Sequence, residues 1–165
     1  MLHGGFGLQT VGGLPKPRFH AMSLLSRLGP VELHVSLEGD GGGSLVEAWA
    51  SRDRDRIAIL LWNLTLDQSK AAGSPDLDRT IKLTLPGVDP AWQATATWLA
   101  PNGSGDLVAV AGELGVGDWP TDEQWVELAE RSRLRVDVVE REGDELTLSL
   151  PMPSAVLVEF RPGRG

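Results

Sequence analysis

Val31-Glu32-Leu33-His34-Val35-Ser36-Leu37 sets every apolar residue at an odd position and every polar one at an even position. A period of two suits an extended strand with one face buried and one wet, and suits no helix. Strand signals recur at residues 45–50, 56–63, 80–85, 92–99, 134–140, 145–150 and 155–160. Turn-forming clusters separate most of them: GDGGG at 39–43, Leu85-Pro86-Gly87, Pro101-Asn102-Gly103 and Glu142-Gly143-Asp144. Short strands at this spacing predict a mainly β chain, an antiparallel β-sandwich of about eight or nine strands, rather than a parallel α/β sheet. Ile57 to Trp62 is apolar at both parities, which predicts a central strand covered on both faces.

Two segments break the pattern. Pro17 suits a first helical turn, and Phe19, Met22, Leu25 and Leu28 recur at helical spacing, which predicts a helix over 17–28 with those four as its apolar face. Gly29-Pro30 reads as its stop, a left-handed cap followed by a residue that cannot continue. Near 121–131 a second, short helix is predicted. Thr121 and Gln124 make a capping box there, and Trp125, Leu128 and Ala129 supply the apolar face.

A chain of 165 residues is long enough for one real core and too short for two large ones. The net charge of −8, with arginines interleaved among acids as in Arg52-Asp53-Arg54-Asp55-Arg56, argues against a nucleic-acid partner. Cysteine is absent and only His3, His20 and His34 are present, so no metal site and no cofactor is expected. No apolar run approaches the roughly 18 residues needed to cross a bilayer, so no membrane partner is expected. The first residues lack a signal-peptide pattern. The compartment stays open on that basis, with the cytoplasm favoured over secretion. Asn63-Leu64-Thr65 and Asn102-Gly103-Ser104 fit the glycosylation pattern, which arises easily by chance.

Catalytic motifs are missing. No Gly-x-Ser-x-Gly, dinucleotide fingerprint or phosphate-loop lysine occurs, and His20 and His34 read as surface or hydrogen-bonded structural residues. Glycoside hydrolysis needs two carboxylates about 5–9 Å apart on a rigid scaffold. The acids here fall in turns or on the outsides of elements, so no catalytic residue is assigned. Six tryptophans against no tyrosine raise sugar stacking as an alternative. Trp92 and Trp98 share the buried parity of their strand, and Trp62 and Trp125 sit in apolar surroundings. Trp119 and Trp49 are left as candidate glycan-stacking residues.

The order of segments resembles the C-terminal end of glycoside hydrolase family 39, the family of β-xylosidases and α-L-iduronidase. "HGGFGL" and "GLPKPRFHAMSLLSRLG" resemble the passage from the last barrel strand into the last barrel helix. "DRIAILLWN" resembles a core strand of the accessory sandwich, and "DLVAVAGELGVGDWPTDEQWVELAERSRL" a connecting segment with its Pro-Thr-x-x-Gln helix. "LTLSLPMPSAVLVEF" resembles the closing hairpin with its Pro-rich turn.

The resemblance implies that residues 1–29 are a remnant of the last βα unit of a catalytic (β/α)8 barrel and 30–165 the accessory β-sandwich. It implies a parent enzyme that hydrolyses β-xyloside-like glycosidic bonds with retention, while its two catalytic glutamates match nothing in this chain. His3, Gly4, Gly5 and Phe6 would then lie at the rim of the parent's substrate pocket. Phe19, Met22, Leu25 and Leu28 would form the barrel-docking face. The expected partners are the barrel of the same parent chain and carbohydrate, with the helix folding back on the sandwich or pairing with a second copy. The alternatives are a free-standing carbohydrate-binding module and an interaction domain that docks through helix 17–28.

Overall fold

The computed structural model of the chain describes residues 7–39, 45–101 and 104–163. Along the chain run helix α1 (Pro17–Leu25), strands β1 (Val31–Leu33), β2 (Val46–Asp53), β3 (Arg56–Asn63), β4 (Arg79–Thr84) and β5 (Trp92–Leu99). Helices α2 (Leu107–Glu113) and α3 (Asp122–Arg131) and strands β6 (Arg135–Val139), β7 (Glu145–Leu150) and β8 (Ser154–Pro162) follow. One sheet has the order β1-β2-β3-β8-β5-β6, and β4 pairs with β7 in a second. Every pairing is antiparallel, as the alternation predicts.

Parity along the central strands creates two separate cores. Ile59 and Leu61 of β3, Val156, Val158 and Phe160 of β8, and Ala94, Ala96 and Trp98 of β5 face the small sheet, where Leu146, Leu148 and Leu150 of β7 meet them. The intervening residues Ala58, Leu60 and Leu157 face the other way and bury against Leu24 of α1. Thus β3 is apolar from Ile57 to Trp62 because it is roofed on both sides, by a sheet and by a helix. Asn63, at the end of β3 and fully buried, donates from Nδ2 to the carbonyls of Leu77 (2.8 Å) and Leu150 (3.1 Å), tying the two sheets together.

A third cluster lies beside the sheets. Leu107, Val110 and Ala111 of α2 pack on Leu128 of α3, with Leu14 and Trp125 against them. The capping box forms as predicted: Gln124 N–H donates to Thr121 Oγ1 (3.2 Å), and Thr121 N–H donates to Gln124 Oε1 (3.0 Å). Gly12 lies so close to Trp125 that a Cβ there would sit 2.7 Å from the indole.

Four sequence expectations need correction. The first helix ends at Leu25 rather than Leu28, because Arg27 and Leu28 donate three residues back, to the carbonyls of Leu24 and Leu25, and close turns instead of continuing the four-residue ladder. Gly29 is no left-handed cap. It is glycine because a Cβ would lie 2.6 Å from the Arg52 carbonyl oxygen. The first strand stops at Leu33, four residues short of the alternating run. The Pro-rich turn after β7 closes no hairpin: β7 pairs with β4, whereas β8 pairs with β3 and β5, so the turn carries the chain from one sheet to the other. Helix α2, read from sequence only as part of a connecting segment, is an additional element.

Candidate docking face

Helix α1 presents two stripes. His20 and Leu24, four residues apart, turn inward and are buried. Leu28, just beyond the helix, joins Trp62, Leu99, Leu134 and Ala155 around the cluster that Leu24 enters. Phe19, Met22 and Leu25 turn outward, with exposures of 36%, 53% and 40%. The four residues expected to share one face are therefore split. Steps of three residues drift by about 60° each on a helix of 3.6 residues per turn, so the four cannot line one narrow stripe, and Leu28 follows the turn beyond the helix to the sheet. The helix does fold back on the sandwich, through a stripe that includes a histidine.

Polar anchors fix the end of the helix. The Arg27 guanidinium pairs with Glu159 of β8 and donates from Nη1 to Thr97 Oγ1 of β5 at 3.1 Å. Gly29 N–H donates to Ser51 Oγ of β2 at 2.7 Å. Glu159 also receives Arg56 of β3 and Arg161 of its own strand, each at 3.1 Å. Among the described residues Glu159 is the only buried acidic side chain. Burial alone would raise its pKa, but hydrogen bonds from Arg27 and Arg161, with their charges, hold the carboxyl below its ordinary value. Such a group stays ionised at neutral pH. It is suited to anchoring a helix and unsuited to donating a proton to a leaving group.

The remaining candidates are dispersed. Trp49 is 53% exposed on β2 and stands edge-to-face on Trp62, centroids 5.4 Å apart. Trp119, 58% exposed, stands likewise on Trp125 at 6.1 Å. Trp98 is buried and Trp92 half-buried, on the parity predicted for them. His3, Gly4, Gly5 and Phe6 lie outside the described residues, as does Asn102. Asn63, being fully buried, offers no acceptor for a glycan. Among the described residues no group of His, Cys, Asp or Glu is placed to hold a metal ion, and no helix is long and apolar enough to cross a membrane.

Sequence reasoning passed over Arg27 and Glu159. The signal was present: Glu159 is the single charge inside the apolar run Ala155 to Phe160, and a charge there demands a buried partner.

Residues 1–141 match the sequence model of the glycosyl hydrolases family 39. The chain belongs to that family. A β-xylosidase of Geobacillus stearothermophilus is 33% identical over 87 residues, which covers 52% of the family-39 chain described here and 14% of that protein. A monomeric β-xylosidase from Caulobacter crescentus CB15 superposes with a TM-score of 0.70 at 22% identity, covering 98% of this chain and 34% of that one. The family-39 enzyme from Xanthomonas axonopodis pv. citri gives 0.68 at 20% identity, covering 98% and 33%. At these identities the structural likeness is one of fold. The chain spans about a third of the length of those two solved relatives.

Proposed function

We propose that this chain acts as a non-catalytic accessory β-sandwich of a family-39 glycoside hydrolase. It packs on and supports a (β/α)8 barrel that cleaves β-xyloside-like bonds with retention. One observation carries the docking role: α1 is locked to the sheet by one stripe while Phe19, Met22 and Leu25 are held outward. On this reading residues 1–29 complete the barrel's last unit, 30–165 form the sandwich, and His3 to Phe6 lie at the rim of the substrate pocket. The relatives, about three times as long as this chain, leave room for such a barrel.

Two measurements test the proposal. The polypeptide alone should show no turnover of aryl-β-xylosides, and activity that depends on a residue of this chain overturns it. Met22→Asp should change the stability of the chain by less than about 0.5 kcal/mol, as at other exposed positions. A loss above about 2 kcal/mol in urea unfolding would show that the outward stripe belongs to the chain's own core rather than to an interface.

A second reading, carbohydrate binding, is favoured by the exposed Trp119 propped edge-on against Trp125. Such a ring offers its face to the C–H side of a sugar. Titration with xylo-oligosaccharides should then quench tryptophan fluorescence, and Trp119→Ala should abolish the response. No response up to millimolar ligand counts against it.

A further inference from the structure

We propose that α1 is an acid-released latch, attached to the sandwich at neutral pH through His20 and the Arg27–Glu159 pair and loosened as these groups take up protons. The inference concerns the chain itself and needs no barrel.

Four inward side chains hold the helix and the turn after it: His20, Leu24, Arg27 and Leu28. Leu24 and Leu28 are indifferent to pH, and His20 and Arg27 are the polar pair. His20 is 8% exposed and its Nε2 is buried with no hydrogen-bond partner. Its surroundings are tight and apolar. A Cβ on Gly105 would lie 3.2 Å from His20 Cδ2, 2.6 Å from Leu99 and 2.9 Å from Leu134, and the Phe19 ring stands edge-on at 6.2 Å. A neutral imidazole tolerates this site. A protonated one places a new N–H and a full charge where nothing accepts either.

Burial and the Ser132 backbone, rather than a neighbouring charge, set the state of this imidazole. The charged residues on the surrounding segments are Lys16 and Arg18 at the start of α1, Asp106 after Gly105, and Arg131, Arg133 and Arg135 about Ser132 and Leu134. Asp106 caps α2 by accepting from Ala109 N–H at 3.0 Å. Arg131 pairs with Glu113 and Glu127, and Arg135 with Asp137. Burial lowers the His20 pKa from 6.5, and the Ser132 backbone opposes this only in part. A group whose folded pKa is depressed in this way loses its stabilising effect as pH falls through the free value and on toward the folded one.

The second anchor follows at lower pH. Glu159 is faced by Arg27 from the turn after α1, Arg56 from β3 and Arg161 from β8, and Thr97 of β5 holds Arg27 in place. Protonation there removes the anion that draws the end of the helix to the sheet. Acid therefore releases the His20 end first and the Arg27 end later, while the inter-sheet core, built of apolar side chains, is left intact.

Hydrogen exchange of the whole chain between pH 8 and 5, corrected for the intrinsic rate, tests this. Protection of residues 20–28 should fall by up to about tenfold per pH unit below about 6.5, while residues 57–61 of β3 stay level. His20→Leu should remove that slope. Protection of α1 that stays flat to pH 5, or a slope that survives His20→Leu, overturns the proposal. If that variant does not fold, NMR titration of the imidazoles in the unaltered chain decides: His20 should titrate below the ordinary 6.5, and a midpoint at or above 6.5 overturns it.

Discussion

Glu159→Ala should destabilise the protein by about 3 kcal/mol, at the low end of the roughly 3–5 kcal/mol typical of breaking a buried ion pair. The low end applies because Arg27 and Arg161 keep side-chain exposures of 34% and 59% and can recover some hydration, whereas Arg56 at 18% recovers less. Urea unfolding at pH 7 measures the loss, and a value under about 1 kcal/mol would remove Glu159 as an anchor. Glu159→Gln keeps the shape and loses the charge, so it should fall between the two. Because the carboxyl titrates below its ordinary 4.5 in the fold, its contribution is complete above that pH and disappears as pH falls through the depressed value. The gap between the parent protein and Glu159→Gln should accordingly close in strong acid.

Phe160→Ala, one residue along on the opposite face of β8, should cost about 4 kcal/mol, within the range for emptying a fully buried aromatic site. Phe160 has no exposed surface, packs among the residues between the two sheets, and carries the Arg141 guanidinium 5.5 Å above its ring. Denaturant midpoints compare the two directly. A loss below about 2 kcal/mol would mean that the sheets close over the gap. The two neighbours fail for different reasons: one change strands charges, the other opens a void. Only the loss at Glu159 should depend on pH.

Most strands were legible because a half-buried sheet forces a period of two, and the segments around 92–99 and 145–150 lie where that period places them. Segment 56–63 lies where a short run apolar at both parities predicts a strand covered on both faces. Helix α2 was not. Its sequence LVAVAGE mixes valine with glycine and shows no polar face, since a neighbouring helix covers one side of it. The cue was Asp106, an N-cap three residues before the amide it receives. Helix α1 starts at Pro17 as read but ends three residues early, and the four apolar residues assigned to one face do not share it. Counting only hydrophobic residues at intervals of three passed over His20 and Arg27, which lie on the stripe that meets the sheet. The helix was thus half legible: residues of its outward stripe were named, while the polar groups that fasten it to the sheet depend on partners distant in sequence. Glu159 and Arg56, 103 residues apart, meet only once the sheet exists.

That separation also governs how the chain leaves the ribosome. Strands β3 and β5 stand one place apart in the large sheet, and the strand that fills the place between them is β8, made after all the others. Until Ser154 and the residues after it emerge, the β1-β2-β3 ribbon and the β5-β6 ribbon have no bridge. The apolar edge of β3 then stays open to any extended segment that passes. A nascent chain of this kind carries that sticky seam from the completion of β3 at Asn63 until β8 begins at Ser154, the condition in which a holding chaperone matters most.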